Sequence, residues 1–177
     1  MILSGSEIKN RIGKDIIIEP FVESRLNPNS YNLCLHKEIL MCADKELDMK
    51  LPMNLQKIII PPEGYVMEPF KLYLARTVEY TETKTCAPMI EGRSSMGRMG
   101  LFTHVTAGFG DVGFKGYWTL EMFCMVPIRI YSGIEIVQTY YHEVCGENTI
   151  KYIGKYQNNS SVQASKLYED FLCEETD

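Results

Sequence analysis

Alternating apolar and polar positions, broken at short intervals by glycine and proline, run through most of this chain. Tyr31-Asn32-Leu33-Cys34-Leu35 alternates, as do Lys71-Leu72-Tyr73-Leu74-Ala75-Arg76, Ile128-Arg129-Ile130-Tyr131 and Ile134-Glu135-Ile136-Val137. A period of two marks strands that bury one face. The apolar triplet Ile16-Ile17-Ile18 precedes Pro20, and Ile58-Ile59-Ile60 ends at the turn Pro61-Pro62-Glu63-Gly64. Short strands set off by such turns predict an all-β protein, a sandwich or a barrel. Two short helices are expected within it. Ser4 with Glu7 three residues later has the capping-box form, and Gly13 can stop the helix. A second helix is predicted over 94–99, because Ser95, Met99 and Phe102 lie at helical spacing and Gly100 can end it. From Lys155 on the chain turns polar, and Gln157-Asn158-Asn159-Ser160-Ser161 has no apolar period. Residues 155–177 therefore read as a mobile terminal segment anchored by Leu167, Tyr168 and Phe171.

Composition narrows the possibilities. The chain has 177 residues, the size of one domain. A net charge of −5 supplies no global basic field for nucleic acid, so phosphate binding must be local. No apolar run is long enough to span a membrane. The N-terminus lacks a basic region followed by an apolar run, which predicts a cytoplasmic protein without a signal peptide. None of the six cysteines forms a C-x-x-C pair, so Cys34, Cys42, Cys86, Cys124, Cys145 and Cys173 read as free thiols.

The densest chemistry lies between residues 90 and 121. It holds Arg93, Ser94, Ser95, Arg98, Asp111 and Glu121 among several glycines. Guanidinium forks suit phosphate oxygens, glycine lets backbone approach a ligand, and serines at a helix N-terminus sit where anions bind. Glu121, an acid on an apolar run, has the look of a proton-transfer group. Together these predict a nucleotide site with acid–base chemistry beside it. A zinc deaminase is not indicated: His36-Lys37-Glu38 matches H-x-E, but no cysteine pair follows. His104 reads as a hydrogen-bonded structural histidine rather than a base.

Glu91-Gly92-Arg93-Ser94-Ser95 with Arg98 and Gly100-Leu101, then His104, Thr106-Ala107-Gly108-Phe109, Asp111, Gly113-Phe114 and Gly116, then Leu120-Glu121, resemble the dCTP deaminase branch of the dUTPase-like superfamily. Ile2-Leu3-Ser4, Asn27-Pro28-Asn29-Ser30-Tyr31-Asn32-Leu33, Gly133, Gln138 and Lys155-Tyr156-Gln157 extend the resemblance over nearly the whole chain. It implies a distorted, jelly-roll-like β-barrel assembled as a homotrimer, with active sites between subunits. It implies Mg²⁺ borne by the triphosphate and no zinc. Gly108-Phe109 stand where deaminases that stop at dUTP carry His-Arg, so the resemblance is to the bifunctional members that take dCTP to dUMP and pyrophosphate.

The same resemblance implies roles. Glu121 is the general acid/base, Arg98 holds it and the reacting water, and Ser94 orients the nucleophile. Arg93 and Ser95 hold phosphate, with Tyr152, Lys155, Tyr156 and Asn159 reaching it from the tail. Thr106, Ala107, Gly108 and Phe109 border the nucleoside, and Ala107 reads the base through its backbone. Phe114 packs on the sugar or in the core. Asp111 accepts from the deoxyribose 3′-hydroxyl and is linked to the water that attacks the α-phosphorus. Departures are Gly110 where relatives have Ile or Val, Val112 where they have Pro, Asn159 for a glutamine, and Ser161 for a lid glycine. Two other readings remain open: a pyrophosphatase acting on dUTP alone, and a non-catalytic nucleotide-binding relative.

Overall fold

The computed structural model describes residues 1–147 and 150–172; Cys173 and the end of the tail lie outside them. Helix α1 spans Gly5–Arg11, and the Ser4 hydroxyl accepts from the Glu7 N–H as the spacing predicted. Strands follow at β1 (Ile16–Glu19), β2 (Tyr31–Cys42), β3 (Leu55–Ile59), β4 (Tyr65–Met67), β5 (Tyr73–Thr83) and β6 (Cys86–Gly92). Then come α2 (Ser94–Arg98), β7 (Leu101–Thr103), β8 (Lys115–Cys124), β9 (Ile128–Ile130), β10 (Glu135–Glu143) and α3 (Tyr168–Leu172). An antiparallel path β6-β10-β2-β5-β8-β7, with β1 on β5 and β3 on β2, makes a nearly closed, barrel-like sheet, and β4 pairs with β9 beside it. No helix among the described residues is long and apolar enough to cross a membrane.

The alternation seen in the sequence is the barrel's inside and outside. Along β8, Gly116, Trp118, Leu120, Met122 and Cys124 face inward, and Tyr117, Thr119 and Glu121 face outward. Inward residues from every wall meet Ile8, Leu33, Ile90 and Val137 in one apolar core. Two buried tyrosines place their hydroxyls on loop N–H groups: Tyr31 accepts from Val22 at 2.8 Å and Tyr73 from Glu68 at 2.9 Å. The cysteines described are free thiols. Burial pushes the Cys34 thiol up to about 12, which leaves it protonated and unreactive.

One charged group is fully buried in this core. Glu79 on β5 accepts from Arg25 Nη1 at 2.5 Å and from the Cys34 N–H at 2.8 Å. Burial pushes its carboxyl above the usual glutamate range, while those two partners pull the other way. Glu79→Ala would strand the Cys34 N–H and unpair Arg25, at a cost of about 3 kcal/mol. Urea denaturation would read this as a lower midpoint at unchanged slope. A loss of less than about 1 kcal/mol would show that the network contributes little.

The tail is docked in this structure by polar groups as well as apolar ones; of the anchors expected, Tyr168 and Phe171 are half-buried, with Lys50 Nζ 5.5 Å from the Phe171 ring centre. Asn159 Oδ1 accepts from the Tyr117 N–H at 2.7 Å, and Gln157 Oε1 from the Lys115 N–H at 2.9 Å. Leu167 is exposed, whereas Val162 is buried. The reason lies in β8: its first residues present N–H groups that need partners, and amide side chains supply them. Gly116 makes the approach possible, because a Cβ there would stand 2.5 Å from Asn159 Oδ1.

Candidate active site

A cavity of about 520 Å³, within the range of small-molecule sites, opens on the outer face of β8. Its floor is Glu121 and Thr119 of β8 with Leu74 of β5, which is paired with Glu121 in register. The loop after β7 supplies Thr106, Ala107, Phe109 and Asp111. The tail closes the other side with Tyr152, Tyr156, Asn159 and Gln163, and Met53 adds an apolar edge.

Strand geometry aims Glu121 into this space, since odd-numbered residues of β8 face outward. One of its oxygens, Oε2, is sunk 2.7 Å from His104 Nδ1, while its side chain as a whole is 43% exposed. The second oxygen therefore faces the cavity. His104 is itself buried, donates its backbone N–H to Glu121 O at 2.8 Å, and sets its ring edge-on to Trp118. Its φ of 54° is left-handed, an uncommon conformation for a residue with a side chain. So His104 stands against the carboxylate as well as packing in the wall, although the Nδ1–Oε2 approach lacks hydrogen-bond geometry. Its place inside the motif was the available signal, but only the β7–β8 pairing reveals the contact.

Asp111 lies exposed at the turn before Gly113, and its C=O accepts from the Phe114 N–H. Phe114 lines the cavity and packs at a tilt on Trp118, with ring centroids 4.9 Å apart. Gly110, the departure before Asp111, has a steric reason. A Cβ there would meet the Trp118 ring at 2.6 Å and Pro88 at 2.8 Å, so the single tryptophan fills the space of a larger side chain. Val112 is tied to the tail through its C=O, which accepts from the Tyr152 N–H at 2.8 Å.

Other expected site residues are not gathered here. Gly108 stands outside the lining: its C=O accepts from the Ile90 N–H, and a Cβ would meet Ile90 O at 2.5 Å. Lys155 turns to Asp170 Oδ1 at 2.6 Å and to the Lys166 carbonyl, away from the cavity. Tyr152 and Tyr156 do line the cavity, but their hydroxyls accept from N–H groups of the tail itself, those of Tyr156 and Lys166. Helix α2 does begin at Ser94, but Ser94, Ser95 and Arg98 are exposed and outside the cavity. Their distance from Glu121 follows from the hairpin. The Met125 N–H bonds to Gly100 O, which puts α2 about 13 Å along β8 from Glu121. Within one chain, Glu121 therefore pairs with His104 and not with Arg98. Arg93 is also elsewhere, its Nη1 3.0 Å from Glu135 Oε2.

His36 of the H-x-E triplet lies with its Nε2 3.0 Å from Arg76 Nη2, remote from the cavity lining. Met53, Leu74, Thr119 and Gln163 were invisible as site residues in the sequence, because they reach the cavity through register and a long connection.

Comparison with known proteins then adds three observations. Residues 2–144 match a family model described as dCTP deaminase-like. The chain is 64% identical over 172 residues to a protein from Clostridium acetobutylicum named "dCTP deaminase, dUMP-forming", covering 97% of this chain and 99% of that one. Proteins of the same name from Cytophaga hutchinsonii and Leptospira biflexa are 60% and 56% identical over 171 residues, covering 97% of this chain and 99% and 98% of theirs. Among solved structures, that of a 2′-deoxycytidine 5′-triphosphate deaminase from Agrobacterium tumefaciens aligns with a TM-score of 0.64 at 20% identity. That alignment covers 81% of this chain and 48% of the other, and it speaks for the fold.

Proposed function

The chain belongs to the dCTP deaminase-like family, and from that premise we propose that it is a dUMP-forming dCTP deaminase. The observation that carries the reading is Glu121, one oxygen lying against His104 and the other open to a nucleotide-sized cavity. In the first step Glu121 takes a proton from water as the oxygen attacks C4 of cytosine. It returns that proton to the amino nitrogen, the C4–N bond breaks, and ammonia leaves with dUTP as product. In the second, water activated beside Asp111 attacks the α-phosphorus, and pyrophosphate leaves with dUMP remaining. Thr106 and Ala107 offer exposed backbone at the rim, where a pyrimidine edge can be read.

The triphosphate is proposed to enter with Mg²⁺. The groups offered to it are guanidinium, hydroxyl and amide donors. Among the described residues no cluster of three acidic, histidine or cysteine side chains is placed for a resident ion. Mg²⁺ borne by the nucleotide would neutralise phosphate charge and leave those donors to the phosphate oxygens. The substrates are metabolites of the cytoplasm, where we place the enzyme.

A second copy of the chain completes the site in this reading, within a homotrimer. Ser94, Ser95 and Arg98 stand exposed on α2, ringed by exposed Met99, Met125 and Val126. Phe109, at the cavity's rim, and nearby Val105 in the same loop are likewise exposed. Two such apolar margins suit a subunit contact that would carry Arg98 to a neighbour's Glu121. Mixing tests it. Glu121→Gln and Arg98→Ala proteins, each inactive alone, would regain activity after co-refolding, with about one site in four intact for a random trimer. No recovery would place both residues in one subunit's site.

The direct test is incubation with dCTP and Mg²⁺ and chromatographic resolution of dCTP, dUTP and dUMP. Appearance of dUMP without free dUTP is expected. Untouched dCTP with hydrolysed dUTP would make the protein a dUTP pyrophosphatase, and no turnover of either would leave a binding protein.

A further inference from the structure

Glu135 has no part in the reaction proposed above, yet it holds one of the groups assigned to the phosphates. Its Oε2 lies 3.0 Å from Arg93 Nη1, and its backbone carbonyl accepts from the same nitrogen at 3.1 Å. Asn32 Nδ2 donates to that Oε2 at 2.8 Å, and Arg25 Nε stands 4.0 Å from Oε1. Arg25 in turn is held by buried Glu79. A continuous chain Glu79–Arg25–Glu135–Arg93 therefore runs from the core to the residue that precedes α2.

A backbone irregularity aims Glu135 at this point. The pairing of β10 with β2 shifts register between Glu135 and Val137. Ile136 and Val137, adjacent in sequence, are both fully buried, as an inserted residue requires. Such a bulge turns the neighbouring side chain, here Glu135, toward the start of α2. The Arg93 N–H bonds to Ile136 O at 3.2 Å, so backbone and side chain of Arg93 are tied to the same bulge.

We propose that Glu135 is a positioning residue for nucleotide binding: it grips Arg93 by Nη1 and presents the Nε–Nη2 edge to the triphosphate. This rests on the reading of Arg93 as a phosphate-binding residue. Oε2 and the backbone carbonyl of Glu135 both engage Nη1, and no partner of Nε or Nη2 occurs among the described residues. That edge is the one that meets a pair of phosphate oxygens side by side. An arginine free to rotate loses rotamer freedom on binding, and one held in place beforehand has less to lose. Arg25 and Asn32 share the charge of Glu135, so it orients Arg93 without cancelling it.

The test is a double-mutant cycle in steady-state kinetics on Mg·dCTP, with the unaltered protein, Glu135→Gln, Arg93→Ala and the double variant. Glu135→Gln is expected to raise KM about five- to tenfold, with kcat within about twofold. In the Arg93→Ala background the same change should alter KM by less than about twofold, since Glu135 acts through Arg93. An equal rise in both backgrounds, an unchanged KM, or a fall in kcat alone would overturn the proposal. If Glu135→Gln does not fold, Glu135→Asp reads the same cycle with the charge kept and the reach shortened. Calorimetric binding of the α,β-imido analogue of dUTP with Mg²⁺, whose α–β bridge resists hydrolysis, repeats the cycle without turnover. Failure of the unaltered protein to consume dCTP would sink the functional reading, and the binding cycle would still decide the Glu135–Arg93 coupling.

Discussion

Glu121→Gln is expected to abolish ammonia release from dCTP, lowering kcat by about a thousandfold, the scale of a lost proton shuttle. The substitution is nearly isosteric. A glutamine keeps an oxygen for His104 and leaves the 2.7 Å contact and the packing on Leu74 largely in place. What it loses is the basic oxygen that takes the proton from water and the acid that hands it to the amine. Stability should therefore be unchanged while deamination stops. Because attack on the α-phosphorus is assigned to the Asp111 side, the variant should still convert added dUTP to dUMP. Ammonia release from dCTP and pyrophosphate release from dUTP, measured on one preparation, separate the two steps. Deamination within about tenfold of the unaltered protein would mean that another group moves the proton.

Asp111→Asn should do the reverse. Deamination is expected to persist while dUMP formation falls by about a hundredfold or more, so that dUTP accumulates where dUMP did. The position permits this division. Asp111 is exposed at the cavity wall, on the turn between the loop after β7 and β8, whereas Glu121 is on the floor. An amide can still accept from a sugar hydroxyl, so substrate binding should weaken little. It cannot act as the base for a second water. Chromatography of a dCTP time course would show the switch. Loss of both activities would make Asp111 a binding residue for both steps. Loss of neither would assign the second water to another group.

The site was only partly legible in the sequence. The motif containing Arg93, Ser94, Arg98, Asp111 and Glu121 was evident because arginine, serine and acid occur together there among glycines. The identity of Glu121's partner was not. The resemblance pairs Glu121 with Arg98, whereas within one chain the β7–β8 hairpin carries α2 away and brings His104 against Glu121. Lys155, which the resemblance assigns to phosphate, lies against Asp170, fifteen residues on, a pairing with no local signature in the sequence. The polar run 157–161 read as free of structure because no apolar period was present. Its amide side chains are in fact docking groups, for which there is no periodic signature.

What the sequence by itself determined is local. A capped first helix, the period-two strands, the turn residues and the chemical content of the motif each depend on neighbours a few positions apart, and those interactions are written in spacing. Only the tertiary structure decided which side chains meet: Leu74 beside Glu121, Trp118 in the space above Gly110, Asn159 on Tyr117, and Glu135 turned by a bulge toward Arg93. These pairings join residues tens of positions apart through strand register, and a shift of one residue would exchange every inward and outward side chain. Register is set by the whole core closing at once, so it is a property of the assembled barrel rather than of any segment.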